Sequence, residues 1–206
     1  MVVAYNAEKT ISKLFSRFDK KTFEHVDEIL LADDASKDST ARVAGWYKKA
    51  NNLNKLTIVH HEKNKGYGGN QKWGYNYAIK HNFDIVVMVH GDCQYPPEYI
   101  LPLIKPLEEG RADFMFGSRM AGNPLKGGMP LYKFFGNKFL TGIENLVLGT
   151  HLSEFHSGFR AYNVHALKQI PFNKNSDDFH FDSDIIVQLA LAKKKINEMS
   201  KSKMYK

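Results

Sequence analysis

The segment Ile85-Val86-Val87-Met88-Val89 is apolar and largely β-branched without alternation, and it stops abruptly at His90-Gly91-Asp92-Cys93-Gln94-Tyr95-Pro96-Pro97. A strand that is apolar on both sides must be covered on both faces, which restricts it to the middle of a parallel sheet flanked by helices. In open α/β sheets, ligands bind beyond the carboxyl ends of such strands. Asp92 and Gln94 stand at that end, two residues apart. On an extended backbone their oxygens share one side and suit a hard divalent cation such as Mg²⁺ or Mn²⁺. The same pair equally suits the capping of a helix that begins after the prolines.

The flanking sequence repeats strand and helix in turn. Val2 to Ala4, Glu28 to Ala32, Lys55 to His60 and Asp84 to Val89 read as strands. Between them, helical spacing links Ile11, Leu14, Phe15 and Phe18, then Ala41, Ala44 and Tyr47, then Trp73, Tyr77 and Ala78. The turn Asp33 to Thr40 is rich in helix-capping residues, and Asn64 to Asn70 reads as a loop before the third helix. Such alternation implies parallel pairing with right-handed crossovers: an α/β, doubly wound, mostly parallel sheet with helices on both faces. Beyond it, Glu98 to Leu107 reads as helical despite Pro102, and Asp113 to Gly117 as a strand ending at Ser118-Arg119. Met120 to Met129, glycine-rich with Pro124, reads as a loop and candidate lid beside the site. Phe134, Phe135, Phe139, Ile143, Leu146 and Val147 fall on one helix with a wide apolar face, expected to pack into the core rather than against a membrane.

The 206 residues, 43% of them hydrophobic, are enough for one core and one domain, residues 1–200, followed by a basic tail, 201–206. Cys93 is the single cysteine, so no internal disulfide forms, as expected of a reducing compartment. No apolar run approaches the ~20 residues that span a bilayer, and the amino terminus lacks the pattern of a secretory signal. The expectation is a cytoplasmic protein, peripheral at the cytosolic face of a membrane. The net charge of +7, concentrated in Lys193-Lys194-Lys195, Lys201, Lys203 and Lys206, favours anionic partners. No aromatic-basic signature of nucleic-acid binding accompanies it.

Six segments together resemble the family 2 glycosyltransferases of the GT-A fold, in particular the branch that makes polyprenyl-phosphate or dolichyl-phosphate mannose and glucose. They are Ala4-Tyr5-Asn6, Asp33 to Thr40, Asn64 to Gly69, His90 to Gln94, Gly117-Ser118-Arg119 and Ser157-Gly158-Phe159-Arg160-Ala161-Tyr162, in family order across nearly the whole chain. The resemblance implies that Tyr5 flanks a nucleobase and Asp34 hydrogen-bonds it, with Val3, Asn6, Gly66, His90 and Gly91 completing the donor-binding set. It implies that Asp92 and Gln94 coordinate a cation bridging the diphosphate. Arg119, whose forked guanidinium suits phosphate oxygens, is implied at a phosphate of donor or acceptor. Ser157, Gly158 and Arg160 are implied at the donor or acceptor, although an arginine on a strand edge also pairs with structural carboxylates. Lys126 and Lys133 flank the lid and suit either an acceptor phosphate or solvent, and His156 reads as structural. The chain has Val3 where the family usually has proline, Ala7 where it usually has an acid two residues after the tyrosine, with Glu8 one position late, and His90 at the first position of the metal motif. Relatives continue beyond Lys206, so the expectation is a domain truncated at both ends.

The activity implied is inverting, metal-dependent transfer of a hexose from a nucleotide sugar to a lipid-linked phosphate. An acceptor phosphate is already anionic and needs no general base; for a hydroxyl acceptor, Asp182 and Asp184 are the spare carboxylates, unless they cap the helix through Ile185, Ile186 and Leu189. Two rival readings are a nucleotide-sugar-binding protein without turnover and a sugar nucleotidyltransferase. Against the latter, no glycine-rich basic loop follows the first strand.

Overall fold

The computed structural model describes residues 1–118, 120, 130–155 and 157–200, the side chain of Lys133 excepted. Arg119, Lys126, His156, the lid segment 121–129 and the tail lysines therefore lie outside the described residues.

Among the described residues, seven strands form one sheet: β1 (Val2–Ala4), β2 (Ile29–Asp33), β3 (Leu56–His60), β4 (Ile85–His90), β5 (Phe114–Ser118), β6 (Arg160–Asn163) and β7 (Ile196–Ser200). Their order is β3-β2-β1-β4-β6-β5-β7, and every pairing is parallel except those of β6 with β4 and β5. Among the described residues, eight α-helices accompany them: α1 (Ile11–Ser16), α2 (Lys20–His25), α3 (Thr40–Ala50), α4 (Tyr67–Lys80), α5 (Ile100–Glu108), α6 (Leu131–Leu148), α7 (Val164–Lys168) and α8 (Phe181–Leu191). The β-strand pleat sends neighbouring side chains to opposite faces and so builds two cores. Val89, Met115 and Ala161 join Leu14, Phe15, Leu103 and Ile104 on one face. Val86, Phe114, Phe116 and Tyr162 join Tyr75, Phe172, Phe181 and Ile185 on the other.

From β1 the chain winds one way, to β2 and β3, and then restarts on the other flank with β4. That reversal separates the loops that follow β1 and β4, and a crevice opens at the carboxyl edge between them.

Three expectations are corrected. Helix α4 begins at Tyr67, so Gly68, Gly69 and Asn70 are helical rather than loop; the reason is packing, because these small residues let the helix start touch residues 176–177. Arg160 opens a strand in the interior of the sheet, not one at an edge. Helix α6 forms as expected, but Phe135, Phe139, Ile143, Leu146 and Val147 face solvent instead of the core.

Candidate active site

The loops after β1 and β2 are laced together. Asn6 donates its backbone N–H to Ser36 Oγ (2.8 Å) and accepts at Oδ1 from the Lys37 N–H (2.9 Å). Ala7 donates to Thr40 Oγ1 (2.7 Å), and Glu8 Oε2 accepts from the Ser39 N–H (2.8 Å). This lacing holds Tyr5 half-exposed at the crevice. Asn6, Ala35 and Cys93 have φ of 51°, 58° and 64°. Each follows the end of β1, β2 or β4 closely, so a left-handed turn that most side chains avoid recurs at three of the strand ends beside the cleft.

Asp33 and Asp34 separate into two roles. Asp33 is fully buried, accepts from Ser36 and meets His60 Nδ1 at 2.7 Å. Asp34 accepts from the Lys65 N–H (2.7 Å), while its carbonyl accepts from Asn64 Nδ2 (3.0 Å). Burial raises the Asp34 pKa above the ordinary carboxylate value, opposed by the Lys65 N–H. Neither aspartate caps α3, whose Thr40 N–H is taken by Asp38 Oδ1. Gly66 is required by conformation and space: its φ is 79°, and a Cβ there would lie 2.7 Å from the Asp177 carbonyl oxygen.

At β4, Gly91 approaches β1 so closely that a Cβ would meet that of Ala4 at 2.9 Å, and its N–H bonds the Val3 carbonyl at 2.8 Å. His90 is half-buried, and burial lowers its pKa. Its Nε2 lies 3.3 Å from Tyr67 Oη, and Gly158 packs against its ring with no room for a side chain. Asp92 projects into solvent at the mouth of the cleft and accepts from the Gln94 N–H at 3.0 Å. The backbone through 92–94 is not extended, because Cys93 is left-handed, so the pair is brought together by a turn and not by strand periodicity. Nor does either side chain cap the 3₁₀ turn Pro97–Tyr99.

Val3, Tyr5, Asn6, Asp34, Gly66, His90, Gly91 and Asp92 all line one cavity of about 750 Å³. The sequence reading missed Thr10, Asn64, Tyr67, Asp178 and Phe179, which line it too. Thr10 Oγ1 bonds the Gly91 carbonyl (2.7 Å), and Phe179 stacks on Tyr67 at 4.7 Å between centroids. Asp178-Phe179 lies one residue before a helix rich in apolar residues, and a polar–aromatic pair there carries no signal separating wall from surface.

The second cluster lies beneath this cavity and not in it. Arg160 is fully buried, and its guanidinium donates to the carbonyls of Ser157, Phe155 (3.0 Å) and Asp182 (2.8 Å). Ser157 is likewise buried, its hydroxyl on the Gly117 carbonyl. Arg160 and Ser157, expected at the donor or acceptor, thus direct these side-chain donors into the fold. Asp182 accepts from Tyr67 Oη (2.8 Å) and Gln71 Nε2 (3.2 Å) and sits 3.5 Å from Arg160. Asp184 accepts from the Ser176 N–H (3.2 Å). Neither caps α8 with its side chain, and neither lines the cavity.

Among the described residues no three His, Cys, Asp or Glu side chains could cage a metal. The cleft instead offers the Asp92 carboxylate beside Gln94, a donor set that fits Mg²⁺ or Mn²⁺ only where phosphate and water oxygens complete the shell.

Residues 1–171 match the family model described as Glycosyl transferase family 2. The chain is 28% identical over 215 residues to the UDP-N-acetylglucosamine–dolichyl-phosphate N-acetylglucosaminyltransferase of Methanococcus voltae, covering 100% of this chain and 84% of that one. It is 32% identical over 195 residues to an uncharacterised protein of Methanocaldococcus jannaschii, covering 94% and 74%. In structure it resembles glucosyl-3-phosphoglycerate synthase of Mycobacterium tuberculosis, solved with Mn²⁺, UDP and phosphoglyceric acid. The TM-score is 0.71 at 18% identity, over 97% of this chain and 66% of that one. This last likeness establishes the architecture alone.

Proposed function

Because this chain belongs to glycosyl transferase family 2 and is a glycosyltransferase of GT-A fold, we propose that it moves a hexose, with inversion, from a nucleoside-diphosphate sugar of the GDP-mannose or UDP-glucose type to a lipid-linked phosphate. Dolichyl or polyprenyl phosphate is the acceptor class. The observation that carries the donor half is the convergence of eight residues, from the carboxyl ends of β1 and β4 and the loops after β1, β2, β3 and β4, on one cavity. The acceptor half is supported by the Methanococcus voltae relative, whose name gives dolichyl phosphate as its acceptor.

In this reading Tyr5 lies against the nucleobase, Asp34 hydrogen-bonds it, and the backbone at Gly66 and Gly91 lets the donor approach closely. Asp92, with Gln94, would hold a Mg²⁺ or Mn²⁺ ion, which would supply charge stabilisation for a nucleoside diphosphate leaving group. His90 stands in the metal motif as a neutral ring, fixed by Tyr67 and Gly158. An anionic acceptor needs no base, which agrees with Asp182 being committed to Tyr67, Gln71 and Arg160. Arg119 and Lys133 are proposed to meet the acceptor phosphate, and Gly158 to back the sugar end of the cleft. A lipid acceptor brings the protein to a membrane surface as a peripheral partner.

Titration calorimetry with UDP and GDP tests this. Binding is expected with Mn²⁺ or Mg²⁺ and is expected to fall at least about tenfold with chelator, since a lone carboxylate cannot complete a metal shell without phosphate. Asp92→Asn is expected to abolish transfer and the metal effect while leaving thermal stability unchanged. Equal affinity with and without chelator would remove the metal from the mechanism.

A further inference from the structure

Helix α6 is turned inside out. At 100° per residue, Tyr132, Phe135, Phe139, Ile143, Leu146 and Val147 fall within about a third of its circumference. All six are exposed, Phe139 by 70% and Leu146 by 85%. The opposite, mixed face meets the protein, with Thr141 only 6% exposed and Glu144 half-buried. An ordinary surface helix does the reverse and buries its apolar stripe. So wide an apolar surface is costly in water and marks a contact with something apolar.

We propose that this face of α6 docks the protein on an anionic lipid bilayer, lying in the headgroup plane. The proposal deepens the functional reading, on which it rests for a lipid acceptor near the cleft. Four observations favour a bilayer as the occupant. No charged residue falls within the apolar arc, and by helical spacing Lys133 and Lys138 occupy its two borders. Lysines in such places reach headgroups while their neighbours enter the acyl boundary. The chain carries +7 overall, which adds attraction to anionic headgroups. Among the described residues no helix is long and apolar enough to cross a membrane, so α6 lies on the surface and does not span it.

A second copy is a poorer occupant. A twofold contact would set the patch against itself, bringing the lysine borders of one copy toward those of the other. Position also favours the bilayer. The carboxyl end of α6 is fastened by Asn145, which bonds the Leu152 N–H (2.9 Å) and carbonyl (2.7 Å). The next residue, Ser153, bonds Ser118 at the carboxyl end of β5. Strand β5 runs parallel to β4, so this anchor stands at the same sheet edge as the donor cleft. Docking through α6 is thereby tied to the same edge of the sheet as the cleft that a lipid phosphate would have to reach.

Vesicle co-sedimentation of the full chain tests the proposal, using phosphatidylcholine vesicles with and without phosphatidylglycerol, on the native protein and on Phe139→Glu/Leu146→Glu. Both positions are exposed, so the variant keeps the fold. The native chain is expected to pellet with anionic vesicles. The variant is expected to bind roughly tenfold or more weakly, since two large apolar side chains leave the bilayer. Equal pelleting of variant and native protein would assign binding to the basic surface alone, and no pelleting at all would exclude a bilayer; either overturns the proposal. So does a lipid-free dimer, seen by light scattering, that the same substitutions dissolve. Titration of the variant with UDP or GDP separates the two readings. Donor binding is expected to be unchanged, and its absence from native protein and variant alike would sink the donor reading while leaving the docking result to stand by itself.

Discussion

Asp34 is held buried among backbone amides, and the two influences on its carboxyl oppose each other. Burial raises its pKa above 3.8, while the Lys65 N–H pulls it down, and burial dominates. The folded state therefore holds this proton more tightly than the unfolded chain. Between the ordinary value of 3.8 and the raised folded one, the native state binds more protons, so stability falls as pH rises through that window and stays lowered above it. Asp34→Asn removes that ionisation and keeps an oxygen for the Lys65 N–H. The variant is expected to melt higher than the native protein near neutral pH, with the difference vanishing below 3.8, while its affinity for nucleoside diphosphate falls. Thermal melts across pH and calorimetry check both halves; a neutral-pH melting temperature at or below that of the native protein would show the amide bonds outweighing desolvation. The family resemblance singled out Asp34 of the doublet Asp33-Asp34, which local pattern alone could not do. Which carboxylate faces the cleft depends on the register of β2 against β3, where Asp33 pairs with His60.

The glycines of α4 and α6 look alike in sequence and behave oppositely in their elements. At Gly68, a Cβ would lie 2.5 Å from the Ser176 carbonyl oxygen and 2.7 Å from the Phe181 Cβ, atoms of backbone and core that cannot move aside cheaply. At Gly136, nothing stands within 4 Å. Gly68→Ala is expected to destabilise by about 1–3 kcal/mol through overpacking. Gly136→Ala is expected to stabilise by about 0.5–1 kcal/mol through helix propensity. Urea denaturation reads both, and a stabilised Gly68→Ala would refute the packing account of the α4 start. The same contrast explains why the sequence placed that start too late. Glycines disfavour helix locally, so Gly66-Tyr67-Gly68-Gly69 reads as loop until residues 176–177 are known to pack there. The apolar stripe of α6 was legible, but its direction was not, since helical spacing says which residues share a face and nothing about what that face meets.

At the scale of the molecule, Arg160 ties the sheet to α8. Its charge is fully buried, with Asp182 at 3.5 Å, three carbonyls and Tyr162 Oη at 3.4 Å around it. Removing one partner of a buried ion pair leaves the other uncompensated. Arg160→Met is expected to lose about 3–5 kcal/mol, a large share of the roughly 5–15 kcal/mol typical of a folded domain. A loss under about 1 kcal/mol in urea would show that the arginine is free to serve a ligand. Sequence alone determined the alternation of strand and helix, the mostly parallel sheet, and the strand ends where Tyr5, Asp34 and Asp92 stand. These follow from local periodicity and from the rule that places ligands beyond the carboxyl ends of parallel strands. Tertiary structure alone decided the antiparallel insertion of β6 between β4 and β5, the burial of Arg160 and Ser157 beneath the cleft, and the outward turn of α6. Each of those depends on contacts between segments far apart in the chain, which no local pattern encodes.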